Sequence, residues 1–271
     1  MALSSTTFNA LVILFMMLFM GCFGTYQYFS HVQQWGPAVL KKHYRPQISF
    51  LEDRLTIHGL WPTNETNPQP RRCTTSSRGR FFHSGNQISM NLTNTLHNSW
   101  PNYLGSDELF WSSQWISHGT CSYPMFNQPR YFWLAHNIWA RFNLFGLLVQ
   151  AGIVPVDAEQ TPSTIYRRED VLFAINVYHN VLLEVEIDCI EGTIELLEIK
   201  VCLDHSGTDY INCPGIGSCG WSFKWLKYSA KKKKQPICEC STRTEPKISN
   251  ISQVHDRFGD YGNNKYGVFL M

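Results

Sequence analysis

Charge is scarce in this sequence: Asp, Glu, Lys and Arg together make up 16% of its 271 residues. So low a share argues against a disordered polyelectrolyte or a long coiled coil. No self-similarity at a period of roughly 20–50 residues is visible, which argues against a solenoid or propeller. No Gly-x-Ser-x-Gly elbow is present to seat a serine nucleophile. Cys238 and Cys240 are not followed by a second pair of ligands, so their spacing does not read as a zinc site.

Between Met1 and Gly24 charged side chains are missing altogether. The apolar stretch from Ala10 to Met20 ends in the small residues Gly21, Cys22 and Gly24. It is shorter than the run of about 18 apolar residues that a membrane span usually needs. The expectation is a signal peptide over residues 1–24, cleaved after Gly24, although it lacks the usual basic N-terminal residues. Its removal takes Cys22 away and leaves eight cysteines, an even number that reads as a disulfide framework in an oxidising compartment. Three N-glycosylation acceptors fit that compartment, at Asn64, Asn91 and Asn250. A secreted, extracellular protein is expected, with the vacuole or another endomembrane compartment as the alternative and no membrane attachment after cleavage.

What is plentiful is apolar and aromatic. Hydrophobic residues make up 44% of the chain and aromatic ones 14%, with nine tryptophans, enough for a sizeable core and for stacking surfaces besides. Up to Gly220 there are 13 basic against 17 acidic side chains, and from Trp221 onward ten against four. The body is thus too acidic to grip a long polyanion by charge alone, and any nucleic acid must be handled in a local pocket. The run Lys231 to Lys234 reads as a solvated or RNA-attracting stretch, and residues 223–271 as a basic, poorly ordered tail beyond a domain spanning 25–222.

Tyr26 to Trp35 reads as a strand entering the core, and Leu55 to His58 as another, halted by Gly59 and Pro62. Thr63 to Gly85 is a loop by composition. Helices are expected over Gln87 to Trp100 and, after a cap at Ser106-Asp107-Glu108, over Leu109 to Ile116. Two more are expected over Pro129 to Gly146 and Thr164 to Ile175, the latter with Arg167, Arg168, Glu169 and Asp170 as its wet face. Val181 to Ile190 and Thr193 to Leu203, joined by Glu191-Gly192, read as a hairpin. Strands, then helices, then strands indicate an α+β fold.

Two segments pair a His-Gly with tryptophans: Thr56-Ile57-His58-Gly59-Leu60-Trp61-Pro62, and Phe110-Trp111-Ser112-Ser113-Gln114-Trp115-Ile116-Ser117-His118-Gly119-Thr120-Cys121. Histidine gives or takes a proton near neutral pH, glycine lets a bulky group approach the backbone, and an indole face can stack a base. RNA brings its own nucleophile, the 2′-hydroxyl. Its cleavage needs a base, an acid and donors for the charged phosphorane, and two histidines meet the first two needs with no metal or cofactor. Of the other histidines, His136 on an aromatic helix face reads as packing, and His31 beside the first strand is open between packing and function.

These two segments closely resemble the active-site signatures of the ribonuclease T2 family, which includes plant S-ribonucleases and S-like ribonucleases. The likeness runs from about Tyr26 to Trp221 and includes Tyr28-Phe29, Gln33-Gln34-Trp35 and Leu197-Glu198-Ile199-Lys200-Val201-Cys202. It implies a disulfide-bonded α+β fold with a central antiparallel sheet packed with several helices. It implies the pairs Cys73–Cys121, Cys202–Cys213 and Cys189–Cys219, while an early disulfide common in plant members has no cysteines here, the region holding residues such as Leu40 and His43.

By the same resemblance His58 is the proton donor to the leaving oxygen and His118 the base on the 2′-hydroxyl. Gln114 joins them as the third catalytic position. The substrate, single-stranded RNA, would be bound by Ser30, Trp61, Asn102, Tyr103, Phe110, Ser113 and Ser117 in a monomer. Ser30 replaces a glutamine usual in the family, Gln114 a glutamate, Ser117 a lysine and Ser113 a histidine found in many members. A serine cannot supply a lysine's charge, so weakened activity is expected. The family offers three roles: a pistil self-incompatibility ribonuclease meeting a pollen-side protein, an S-like defence or nutritional enzyme, or a recognition protein on a disabled scaffold.

Overall fold

The computed structural model describes residues 26–45, 53–66, 69–73, 88–157 and 164–227. The expected signal peptide, most of the basic tail, Asn250, Cys238 and Cys240 lie outside them. Among the described residues no helix is long and apolar enough to cross a membrane.

The core is an antiparallel sheet. Its strands are β1 (Tyr28–Trp35), β2 (Leu55–Thr63), β4 (Glu186–Cys189), β5 (Leu196–Asp204) and the short β6 (Tyr210–Ile211). They run in the order β2-β1-β5-β4, with β6 on β5. A two-stranded ribbon joins β3 (Tyr166–Arg167) to β7 (Ser222–Phe223). The helices are α1 (Gly36–Lys42), α2 (Met90–Ser99), α3 (Asp107–Ser117), α4 (Gln128–Phe142), α5 (Leu144–Gln150) and α6 (Arg168–His179), with a 3₁₀ turn over Gly119–Ser122. This is the expected α+β class.

Strand alternation makes the sheet two-faced. Phe29, Ile57, Leu60, Ile199, Val201 and Leu203 are buried in the helix-packed core. Residues of opposite phase pair across the strands on the other face: Ser30 with Trp61 and Cys202, Tyr28 with Thr63, Glu186 with Lys200 and Asp188 with Glu198.

The register of β2 explains how His58 is aimed. Val32 pairs with Gly59 but Gln33 with Ile57, so His58 is an extra residue, a β-bulge. Ile57 and Leu60 are three apart, a spacing that would put them on opposite faces of a regular strand. The bulge lets both enter the core and leaves His58 and Gly59 between them free of it. Main-chain carbonyls of this edge strand are bonded by ring donors of the helices: Trp139 Nε1 to Leu55 (2.9 Å), Trp100 Nε1 to His58 (2.9 Å) and the Tyr131 hydroxyl to Leu60 (2.6 Å). Much of the aromatic content thus serves to close an edge.

Several expectations need correction. Gly59 and Pro62 do not halt β2: a bulge absorbs the glycine, and an edge strand tolerates a proline. The helix expected over Pro129 to Gly146 breaks at Asn143, which takes left-handed backbone (φ 40°) and caps α5 by accepting from Gly146 N–H. Helix α1, with Pro37 in its first turn, was not expected. Arg168 is no wet-face residue: it is buried, with Nη2 2.6 Å from Glu184 Oε2 and 2.9 Å from the Val185 carbonyl. The domain does not end at 222 either, because Phe223 and Trp225 are fully buried in the core with Trp35, whose own indole N–H donates to the Leu226 carbonyl.

Among the described residues the disulfides are Cys73–Cys121, Cys189–Cys219 and Cys202–Cys213, the pairs the resemblance implies. Among the acceptor asparagines Asn91 is exposed on α2 and Asn64 is half-buried after β2.

Truncating a buried tryptophan typically costs about 3–5 kcal/mol. Trp225→Ala should lower stability by that order in urea, and a chain stopping at Ser222 should unfold at lower urea than one stopping at Lys227. Equal midpoints would show that the last strand adds nothing to the fold.

Candidate active site

A cleft of about 510 Å³ opens on the polar face of the sheet, lined by Tyr28, Ser30, His58, Trp61, Gln114, His118, Arg71, Lys200 and Glu186 among others. It brings the two His-Gly segments together. A larger cleft of about 730 Å³ beside α5 and α6, lined by Leu147, Phe173, Val177 and Asp170, holds no such pair of titratable groups.

His58 is held from three sides. Its carbonyl accepts from Trp100, its Nδ1 lies 2.5 Å from Glu198 Oε1 on β5, and its ring stacks on Phe110 (centroids 5.9 Å apart). With Nδ1–H given to the carboxylate, Nε2 is the atom left for the cleft. His118 ends α3, whose first turn is capped by Ser106 and carries Asp107 and Glu108 at the favourable, positive end of the helix dipole. Burial, then the positive charge of Arg71, then His58, push His118 down to about 4 from the usual 6.5. The ring is therefore neutral, a proton acceptor, through the weakly acidic range.

Trp61 stands between the two. Its indole meets His58 edge-on and stacks with His118, with ring centroids 5.2 Å away in each case. Its Nε1–H donates to Gln114 Oε1 at 3.0 Å. An indole nitrogen can only donate, so this bond fixes the orientation of the amide and turns the Gln114 NH₂ to its remaining neighbours. Gln114 is thus a neutral donor group at a cleft wall. The glycines are steric requirements: a Cβ on Gly59 would lie 2.1 Å from Trp61 Nε1 and 2.5 Å from Gln114 Oε1, and one on Gly119 would lie 2.3 Å from the Trp115 ring.

Ser30 is buried at the cleft floor opposite Trp61, and Phe110 backs His58. Asn102 and Tyr103 are not cleft-lining residues. The Asn102 side chain is spent on its own turn, bonding Ser106 O and Leu104 N–H. Tyr103 shares a hydrogen bond with Thr56 and lies over Gly36, where a Cβ would meet its ring at 2.7 Å. Ser113 is exposed and Ser117 half-buried, and neither lines the cleft. His31 and His136 are structural: His31 is fully buried with Nε2 3.0 Å from the Ala135 carbonyl, and His136 Nδ1 bonds Ser99 Oγ at 3.1 Å. Among the described residues no cluster of His, Cys, Asp and Glu has the arrangement of a metal site.

Sequence reasoning missed Glu198, Lys200, Glu186 and Arg71. Strand alternation would have placed the first three on the polar face. Arg71 was findable through Cys73, since a disulfide to Cys121 puts residue 71 close to His118.

Comparison with known proteins identifies the family and the fold. The Ribonuclease T2 family profile matches residues 26–213. Ribonuclease S-1 of Pyrus pyrifolia is 32% identical over 70% of this chain and 81% of its own length. Ribonuclease 1 of Arabidopsis thaliana is 32% identical, covering 72% and 84%. The crystal structure of ribonuclease MC1 from bitter gourd seeds superposes with a TM-score of 0.62 at 28% identity, covering 73% of this chain and all of that one.

Two predictions concern the geometry. In an NMR titration the His118 ring should lose its proton near pH 4, and a midpoint near 6.5 would contradict its burial against Arg71. Gly59→Ala should displace Trp61 or Gln114 and lower turnover by about tenfold or more, a 1.4 kcal/mol effect on the barrier, and wild-type turnover would show the close approach to be dispensable. A sheet-borne histidine with a carboxylate partner, a neutral histidine facing it across an indole, and the matches to both chain and fold lead to one identification: this chain belongs to the ribonuclease T2 family.

Proposed function

We propose that this ribonuclease is a secreted endoribonuclease that cuts single-stranded RNA by transesterification through a 2′,3′-cyclic phosphate. The observation that carries the reading is the placement of His58 and His118 on either side of Trp61 in one cleft. His118, neutral by burial, takes the proton of the 2′-hydroxyl as that oxygen attacks phosphorus. His58, hydrogen-bonded through Nδ1 to Glu198, gives the proton on Nε2 to the departing 5′-oxygen. The P–O5′ bond breaks and the cyclic phosphate remains, later opened by water with the two roles exchanged. Gln114 contributes a neutral donor to the phosphorane, and Ser30 and Trp61 contribute surface to the bases.

Signal-like residues 1–24, the disulfides and the glycosylation acceptors support secretion. Their biological setting we read as pistil self-incompatibility, with a pollen-side protein as partner. The Gln114 pattern and the likeness to Ribonuclease S-1 support it. A second reading, an S-like enzyme, is favoured by the acidic body and the equal identity to Ribonuclease 1.

Removing a positioned acid or base typically lowers a rate by about 10²–10⁴. Incubated with yeast RNA between pH 4 and 8, the secreted protein should release cyclic-phosphate ends, and His118→Ala should lose activity by that factor. Wild-type product no greater than that of His118→Ala would refute the enzymatic reading. The acid limb of kcat/KM should fall near pH 4, because a base that protonates only there stays active above it. Transcripts confined to the style would support self-incompatibility, and abundance in leaf or root would support the S-like role.

A further inference from the structure

We infer that Arg71 is the catalytic cation of this cleft, holding the scissile phosphate and the phosphorane between His58 and His118. The inference rests on the ribonuclease reading above. Attack of the 2′-oxygen on phosphorus puts added negative charge on the non-bridging oxygens, and the two histidines are occupied with protons. The position where the resemblance expects a lysine is Ser117, so the charge must come from elsewhere or be missing.

Among the described residues the cations lining the cleft are Lys200 and Arg71. Lys200 is already matched: its Nζ lies 2.6 Å from Asp188 Oδ2 and 3.1 Å from Glu186 Oε2, a group with one excess negative charge. Arg71 has no ion pair among the described residues and lies close enough to His118 to depress its basicity.

Its backbone is pinned to the place where the lysine is absent. The Arg72 N–H donates to the Ser117 carbonyl at 3.0 Å, the Cys73 N–H donates to Thr120 Oγ1 at 3.2 Å, and Cys73 is bonded to Cys121. Arg72 itself is held in left-handed backbone, φ 53°, unfavourable for a residue with a Cβ. Such strain persists only where surrounding contacts impose it, and it gathers at functional sites. The segment is thus fastened to the end of α3 by contacts that keep Arg71 at the cleft wall. A guanidinium offers a fork of donors that fits two phosphate oxygens at once.

The test compares the full secreted chain with Arg71→Ala, Arg71→Lys and Arg71→Ala combined with Ser117→Lys, on a labelled mixed-sequence oligoribonucleotide, with His118→Ala as control. Loss of one transition-state donor lowers kcat by about 10²–10³. Arg71→Ala should lose that factor in kcat more than in KM, with an unchanged urea midpoint, and Lys at either position should restore part of it. Removing Arg71 should also move the acid limb of kcat/KM upward. Its cause is distinguishable because the other charged groups lining the cleft with His118, namely His58, Lys200 and Glu186, remain. An active wild type with kcat of Arg71→Ala within twofold of it overturns the assignment. So does a loss confined to KM, or one that follows a lowered urea midpoint without rescue by lysine. A wild type no better than His118→Ala overturns the ribonuclease reading itself.

Discussion

The hydrogen bond from Trp61 to Gln114 is the contact on which the site depends. Trp61 belongs to the edge strand β2 and Gln114 to helix α3, and each segment carries one of the two histidines. The bond therefore ties together the two elements that carry the histidines. Gly59 is required because any side chain there would occupy the space where the indole and the amide meet. The bulge at His58 works to the same end, since it turns the histidine out of the core while Ile57 and Leu60 stay in it.

Around that contact the electrostatics divide the labour. His118 is half-buried beside a cation, which lowers its basicity, whereas His58 is given a carboxylate partner. In the proposed mechanism two identical side chains thus take opposite tasks from their surroundings. The carboxylates of the sheet face are themselves distributed: Glu198 serves His58, and Glu186 and Asp188 neutralise Lys200.

Much of this was legible in the sequence, and the reasons for the rest are physical. The two His-Gly motifs, the α+β class and the three disulfide pairs were legible because each leaves a short, specific pattern or comes with a known likeness. The extent of β2 was not, because a bulge and an edge position let a strand run through a glycine and a proline that ordinarily stop one. The break at Asn143 was hidden by apolar residues that continue on both sides of it. Asn102 and Tyr103 read as base-site residues, yet one caps its own turn and the other packs on Gly36. Arg71 escaped notice because its place follows only from the long-range disulfide of Cys73 to Cys121 and not from the residues around it.

The most direct test of this account is Trp61→Phe, which keeps a smaller aromatic ring in the cleft and removes the indole N–H. Leaving Gln114 Oε1 without its donor should cost about 1–3 kcal/mol, read as turnover lowered by about tenfold or more with both histidines still present. Wild-type turnover in that variant would contradict the claim that this single bond sets the geometry of the acid and the base.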